Sequence, residues 1–362
     1  MRTAMLKELI TPQIGAILDK FRIKDIVCAA SSPGRAGILG NPSDMYGGSI
    51  VSCSIEERAY CIMSQSSGCV ISTDQDTVEF RSLADLELCG DNLDLARAVF
   101  RYFELDPARL PYRFDLYTDI PVSAGLSGST SLVLSMAACL LETRGEQVSL
   151  HEMAEMARRI EGGIMHMTCG FQDAYMSAFG GLCYVDFRGK ENLRGTPDEP
   201  YATVEFLNDW VRELPFVLAH SGVKRVSGTV HRPIRERWLA GEREVVKAYE
   251  RVSELARLGK IALLAGHWET VAALMNENHE IQRGLGGSGP VNDRLIQTAL
   301  ANGALGAKLA GAGHGGTIIV LTFEPDRTAE ALLNAGASRI LYIKVVEGLK
   351  VQRGQSFMDT ST

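Results

Sequence analysis

Apolar positions recur along this chain with two different periods, and the switches between them mark out alternating strands and helices. Residues 25–30 are a short, mostly apolar run, the pattern of a buried strand, and they lead into a glycine-rich loop over 31–48. Residues 49–61 and 68–73, rich in Val, Ile and Ser with partial alternation, predict two further strands. Within 93–103, Leu95, Ala98, Val99 and Tyr102 fall on one side of a helix. Residues 112–118 alternate Phe114 and Leu116 with polar neighbours, which predicts a strand running straight into a second glycine-rich loop.

A helix is predicted over 129–144, its apolar positions 132, 133, 136, 137, 140 and 141 spaced by three or four. Ser149 and Glu152 make a capping-box pattern before the next helix, 150–161, which Gly162 and Gly163 end. A helix over 170–179 stops at Gly180 and Gly181 ahead of a strand at 182–187. The charges, glycines and prolines of 188–200 mark a linker. Beyond it come a strand at 216–219, long helical patterns near 230–260 and 262–283, and a third glycine-rich loop at 311–316. A strand at 317–322, a short helix near 328–336 and a strand at 340–345 complete the pattern. Strands and helices alternate in both halves, so the expected fold class is α+β or mixed α/β, in two domains divided at the linker, 1–193 and 194–362.

Composition narrows the function. The chain has 362 residues, 46% hydrophobic and 22% charged, the profile of an ordinary globular protein, with a net charge of −7. No run of Lys and Arg forms a basic face, so nucleic acid is not an expected partner. The first 24 residues lack the charged start, apolar core and small-residue cleavage site of a signal peptide. The apolar stretch 132–141 is far too short for a membrane span, so no membrane partner is expected. Eight cysteines contain no Cys-x-x-Cys pair, and none lies beyond Cys183, a distribution that suits reduced thiols in the cytoplasm. The seven histidines show no zinc-ligand spacing. Monomer and homodimer both remain open.

The candidate chemistry lies in the three glycine-rich loops. Pro121-Val-Ser-Ala-Gly-Leu-Ser-Gly-Ser-Thr-Ser131 sits between a strand and a helix. Its glycines let the backbone fold closely around an anion, and free N–H groups at the helix start point at it. The hydroxyls of Ser127, Ser129, Thr130 and Ser131 add donors and a candidate Mg2+ ligand. Without a Gly-Lys-Ser/Thr ending this is no Walker A loop, and by itself it is only an anion cradle. The first loop is Ser32-Pro-Gly-Arg-Ala-Gly-Ile-Leu-Gly-Asn-Pro-Ser-Asp-Met-Tyr-Gly-Gly48, and the last is Lys308-Leu-Ala-Gly-Ala-Gly-His-Gly-Gly-Thr317.

In this order and spacing the three loops resemble the motifs of the GHMP kinases, the galactokinase, homoserine, mevalonate and phosphomevalonate kinase superfamily. The resemblance spans roughly residues 25–325. Gly40-Asn41-Pro42-Ser43-Asp44 and Gly125-Leu-Ser-Gly-Ser129 look most like the glucuronokinase forms, whereas a galactokinase would carry Gly-Glu-His-Thr-Asp in the first loop. Gly170-Phe-Gln-Asp-Ala-Tyr-Met-Ser-Ala-Phe-Gly-Gly181 resembles the segment that carries the family's catalytic acid. The implied fold has an N-terminal mixed βα domain holding the phosphate loop and a C-terminal ferredoxin-like α/β-plait domain.

By the same resemblance Asp173 takes the acceptor hydroxyl's proton or orients that hydroxyl, and Arg35 stands beside it to offset charge developing on the transferred phosphate. Asp173 falls in the first turn of its helix, where the dipole favours negative charge; as a base against an alcohol it is weak, so orientation matters more than deprotonation. Pro121, Gly125, Leu126, Ser127, Gly128, Ser129 and Thr130 would cradle the phosphates of ATP, with Gly313 supporting them from the second domain. Ser129 and Glu161 would hold Mg2+, while Asn41, Asp44 and Gln172 would meet the acceptor. Arg225, with Lys224 beside it, is a candidate partner for an acceptor carboxylate. Asp44 has an alternative as the cap of a turn. The implied activity is ATP- and Mg2+-dependent transfer of phosphate to a small sugar or uronic acid, at its anomeric hydroxyl, with glucuronate the first candidate. One departure stands out: Ala174 follows Gln172-Asp173 where plant-type glucuronokinases carry Arg. Other aldoses, including heptose phosphates and, less well matched, galactose, stay open as acceptors. A non-catalytic sugar sensor with the kinase fold is disfavoured because Ser129, Glu161 and Asp173 are all present.

Overall fold

The computed structural model describes residues 25–190, 200–223 and 227–354. Most of the expected linker at 191–199, and the basic pair Lys224 and Arg225, lie outside the described residues.

The first sheet is built on a long antiparallel pair, β1 (Ile26–Leu39) and β2 (Ser49–Gln65). Every residue of β1 is buried, so the strand does not end at Ala30 as expected but runs on through Gly34 and Gly37. These glycines act through close approach rather than turning. A Cβ on Gly34 would lie 2.7 Å from the carbonyl oxygen of Leu126, and one on Gly37 would lie 2.6 Å from the Asn41 amide oxygen. Register shifts at Pro33/Arg35 and Gly37/Leu39 bend the pair where other loops press in. Only residues 40–48 form the turn, with a short 3-10 helix at Ser43–Tyr46.

β3 (Cys69–Ser72), β4 (Thr77–Phe80), β5 (Tyr112–Thr118), β6 (Leu182–Asp186) and β7 (Thr203–Phe206) extend this sheet. The two ends of β2 are used separately: Ser49–Cys53 pairs with β6 and Ala59–Gln65 with β5. Four helices cover this sheet, α1 (Asp94–Tyr102), α2 (Gly128–Arg144), α3 (Leu150–Arg159) and α4 (Gln172–Phe179); α2 and α4 lie on the strands, α1 packs on α2, and α3 packs on α2 and α4. The apolar spacing of α2 predicts a single stripe, yet Leu134, Ser135, Ala138 and Cys139 on its other sides are buried as well. Packed between β1 and β2 and its three neighbouring helices, α2 is a core helix and not an amphipathic surface one. At α3, Ser149 caps the backbone N–H of Glu152 as expected. The Glu152 carboxylate instead pairs with Arg159 and Tyr201.

The second sheet holds β8 (Phe216–His220), β9 (Gly306–Leu309), β10 (Thr317–Leu321) and β11 (Arg339–Tyr342), all antiparallel in the order β11-β8-β10-β9. Counted within the sheet this is the order 4-1-3-2 of a ferredoxin-like plait. Between β8 and β9 run α5 (Ser227–Leu239), α6 (Arg243–Leu264), α7 (Trp268–Gly284) and α8 (Pro290–Ala301), and α9 (Pro325–Asn334) joins β10 to β11. The two long helical patterns near 230–283 are three helices, separated at Gly241 and Gly266, whose φ values of +72° and +68° no continuing helix can accept.

The sheets do not follow a single cut in the chain. The last strand, β12 (Lys350–Arg353), returns to pair with β1, and β7 pairs with β6 although it follows the linker. One hydrophobic core joins both sheets, with Ile38, Leu39 and Val51 packed with Leu255, Ala256, Met275 and Ile319. Among the described residues no helix is long and apolar enough to cross a membrane.

Gly34→Ala should destabilise the protein by about 1–3 kcal/mol, because an added methyl must displace the Leu126 carbonyl or Ile55 from a packed core. Denaturant unfolding measures this, and a change under about 0.5 kcal/mol would remove the close-approach role.

Candidate active site

Arg35 stands at the register shift of β1, and its guanidinium is buried. Nε donates to Oδ1 of Asp173 at 2.8 Å, and Nη2 donates to the same oxygen. Nη1 donates to the carbonyls of Gly125 at 2.7 Å and Ala310 at 3.3 Å. The main chain repeats the pattern, with Arg35 N donating to Leu126 O at 3.1 Å and Gly37 N to Ala310 O at 3.1 Å. One cation thus gathers the first loop, the phosphate loop, the third loop and the expected catalytic acid. The Asp173 side chain stays 35% exposed and faces a cavity.

In the phosphate loop, Ser127 precedes α2 in a left-handed conformation, φ +73°. Its hydroxyl meets Ser177 Oγ at 2.8 Å, and that of Ser131 donates to Pro33 O at 2.8 Å, so both fasten the loop from behind. Leu126 sends its side chain into the core. The N–H groups of the first turn of α2 are left for an anion.

Glu161 was expected in the last turn of a regular helix. Instead α3 ends at Arg159, and a π-helical turn, Ile160–Ile164, carries the Glu161 carboxylate inward. There it accepts from Ser129 Oγ at 2.7 Å and Thr130 Oγ1 at 2.8 Å, and it is 3% exposed. Burial raises its carboxyl to about 7, the negative charge of Asp173 adds to the shift, and the two hydroxyls oppose it. A buried carboxylate and a hydroxyl beside an anion cradle fit Mg2+, which takes one or two protein oxygens and completes its shell from phosphates and water.

The cavity beside Asp173 is lined by Asn41, Asp44, Gln172, Cys169, His231 and Ala312, among others. Asp44 Oδ2 accepts from the backbone N–H groups of Phe171 at 2.8 Å and Gln172 at 2.9 Å, so this oxygen caps the start of α4, while burial pushes the carboxyl up. Gln172 Nε2 donates to Ser52 Oγ at 3.2 Å. Gly313 does not line the cavity; a Cβ on it would lie 1.8 Å from the Gly287 carbonyl oxygen, so it belongs to the support behind the third loop. His231 and Cys169 carry no pattern that marks them in the sequence. Lys308 does: it is a lone cation inside the buried strand Gly306–Leu309, and it reaches Asn41.

A model of the GHMP kinases N terminal domain matches residues 93–181, and one of the GHMP kinases C terminal matches residues 260–339. Glucuronokinase 1 of Arabidopsis thaliana is 30% identical over 324 residues, covering 83% of this chain and 85% of that one. The chain belongs to the GHMP kinases. The D-glycero-alpha-D-manno-heptose 7-phosphate kinase of Campylobacter jejuni is 23% identical over 79% of this GHMP kinase and 86% of its own length. In fold, the GHMP kinase described here matches the galactokinase of Lactococcus lactis, complexed with galactose, with a TM-score of 0.78 at 17% identity, covering 93% of this chain and 99% of that one. It is therefore a sugar phosphotransferase of a family whose phosphate donor is ATP.

The Glu161 shift sets a pH dependence for this GHMP kinase without ligands. The unfolded carboxyl ionises near 4.5 and the folded one near 7, so between these values the folded state holds the extra proton and stability falls as pH rises. Above pH 7 the loss is complete, on the order of a few kcal/mol. Glu161→Gln should unfold at a higher temperature than the parent at pH 8 and close to it at pH 4.5. A gap that does not grow with pH would show that Glu161 is not the buried titrating group.

Proposed function

We propose that this GHMP kinase transfers the γ-phosphate of ATP to the anomeric hydroxyl of a sugar acid, with glucuronate the first acceptor to test. The observation that carries the reading is the Arg35–Asp173 pair, which joins the phosphate loop to the acceptor cavity through one buried guanidinium. With one Asp173 oxygen held by Arg35, the carboxylate has a fixed direction from which to accept a hydrogen bond from the acceptor hydroxyl. The same guanidinium offsets negative charge gathering on the transferred phosphate. Ser129 and Glu161 are the residues that would hold Mg2+, which when bound neutralises phosphate charge. Asp44, Gln172 and Asn41 line the cavity beside Asp173, where a seated acceptor would displace water as a competing acceptor.

An anionic acceptor is supported by two guanidinium groups close to this cavity. Arg158 lies over the Phe171 ring, 5.4 Å from its centre, next to the lining residue Gly170. Arg235 sits one helical turn beyond the lining residue His231 on α5. Its buried Nε has no hydrogen-bond partner among the described residues, and burial together with the charge of Arg158 lowers its affinity for its own proton. The cost that Arg158 imposes on Arg235 favours an anion beside the pair. The arginine missing after Gln172-Asp173 has no room in this fold, since Ala174 is 1% exposed. A second reading, a sugar phosphate as acceptor, draws on the same guanidinium pair.

The test is ATP consumption across free aldoses, uronic acids and sugar phosphates. Uronates are expected to turn over fastest, and turnover only with neutral sugars would sink the anionic-acceptor reading. Arg235→Gln should raise KM for the anionic acceptor roughly ten-fold and leave KM for ATP within about two-fold. Asp173→Asn should bind ATP almost as the parent does while losing turnover by a factor on the order of 100 or more; parental activity would remove Asp173 from its role.

A further inference from the structure

Lys308 is the most deeply buried cation in the site. It lies on β9 of the second sheet at 1% exposure, and its ammonium crosses to the turn that follows β1. Nζ donates to Asn41 Oδ1 at 2.7 Å, to Leu309 O at 2.5 Å and to Gly37 O at 3.4 Å. Among the described residues no carboxylate pairs with it. Burial, with Arg35 nearby, pushes the ammonium well below the usual lysine range. A buried cation met only by neutral oxygens is costly, and an apolar residue of the same length would fit the strand better on stability alone. Its presence in such a place points to work done on its neighbours.

That work is legible in Asn41. An asparagine amide presents an acceptor on one side and two donors on the other. Nζ donates to all three oxygens around it and Nδ2 of Asn41 donates to Leu309 O, so Oδ1 of Asn41 faces Lys308 and the Nδ2 group faces away. One Nδ2 hydrogen reaches Leu309 O at the long distance of 3.4 Å, the other has no hydrogen-bond partner among the described residues, and Asn41 lines the cavity. The backbone behind is held too, with Gly40 N donating to Asn278 Oδ1 at 2.9 Å. Gly37 allows the arrangement, because a Cβ there would lie 2.6 Å from Asn41 Oδ1 and 2.8 Å from Gln172 Nε2.

We propose that Lys308 is a positioning residue for the acceptor: by fixing Oδ1 of Asn41 it makes that amide a hydrogen-bond donor toward the cavity, so the acceptor places an oxygen lone pair there. The chemical class selected is an acceptor bearing a hydroxyl or carboxylate oxygen opposite Asn41. This rests on the sugar-kinase reading above. The role is specific to the acceptor side, since no phosphate-loop group is held by Lys308.

Lys308→Met is the direct test, with steady-state kinetics for acceptor and ATP varied separately. KM for the acceptor should rise roughly ten- to hundred-fold, while KM for ATP stays within about three-fold. Asn41→Ala should give a similar acceptor defect, and the double variant should be no worse than Asn41→Ala alone, because both changes remove one interaction. Lys308→Gln, which keeps a donor for Oδ1, should recover part of the loss and serves if the Met variant does not fold. Additive defects, an equal rise in both KM values, or an unchanged acceptor KM in a folded Met or Gln variant would overturn the proposal. Absence of turnover by the parent enzyme on every acceptor would instead overturn the sugar-kinase reading.

Discussion

Everything in the candidate site leans on one buried guanidinium. Arg35 donates to Asp173, to Gly125 and to Ala310, which belong to a helix start, the phosphate loop and the strand end of the second domain. A lysine could not replace it, since a single ammonium lacks the planar fork that reaches several directions at once. Burying such a charge is costly unless its donors find partners, and here the Asp173 carboxylate and two carbonyls take four of its N–H groups. The same contacts that satisfy the cation therefore assemble the site.

Two of the site's carboxylates, Asp173 and Glu161, differ in setting. Asp173 keeps a partly exposed face toward the acceptor cavity, while Glu161 is enclosed, raised by burial and bonded by Ser129 and Thr130. Such an environment favours either a proton or a metal cation on Glu161, so the pocket is poised for a positive partner and is destabilising without one at neutral pH. Lys308 adds a buried amino group held by neutral oxygens alone among the described residues. Stability is given up in this region for a fixed arrangement of donors and acceptors, as is common at functional sites.

Much of the fold was legible. The strands at 112–118 and 182–187, the capped start of α3 and the second and third glycine-rich loops stand where their patterns put them, because each depends on local spacing and turn chemistry. Short elements were not legible. β9 and β12 have four residues each, too few for a period to show, and they exist because β10 and β1 offer them a free edge. Gly34 and Gly37 read as loop residues by composition, and only the carbonyl and side chains pressing on them reveal a strand.

By itself the sequence determined the family, the α+β alternation and the identity of the groups that carry charge: Arg35, Glu161, Asp173 and the serines of the phosphate loop. These follow from residue type and order, which folding does not alter. Tertiary structure alone decided what each group faces. It turned Ser127 and Ser131 inward, gave one oxygen of Asp44 to the start of α4, moved Glu161 inward through a π-helical turn and brought Lys308 from the second sheet onto Asn41. Lys308 and Asn41 are 267 residues apart, and no local period links them. Their contact exists because a shared hydrophobic core packs both sheets together, and burial then forces each polar group to find the partner within reach.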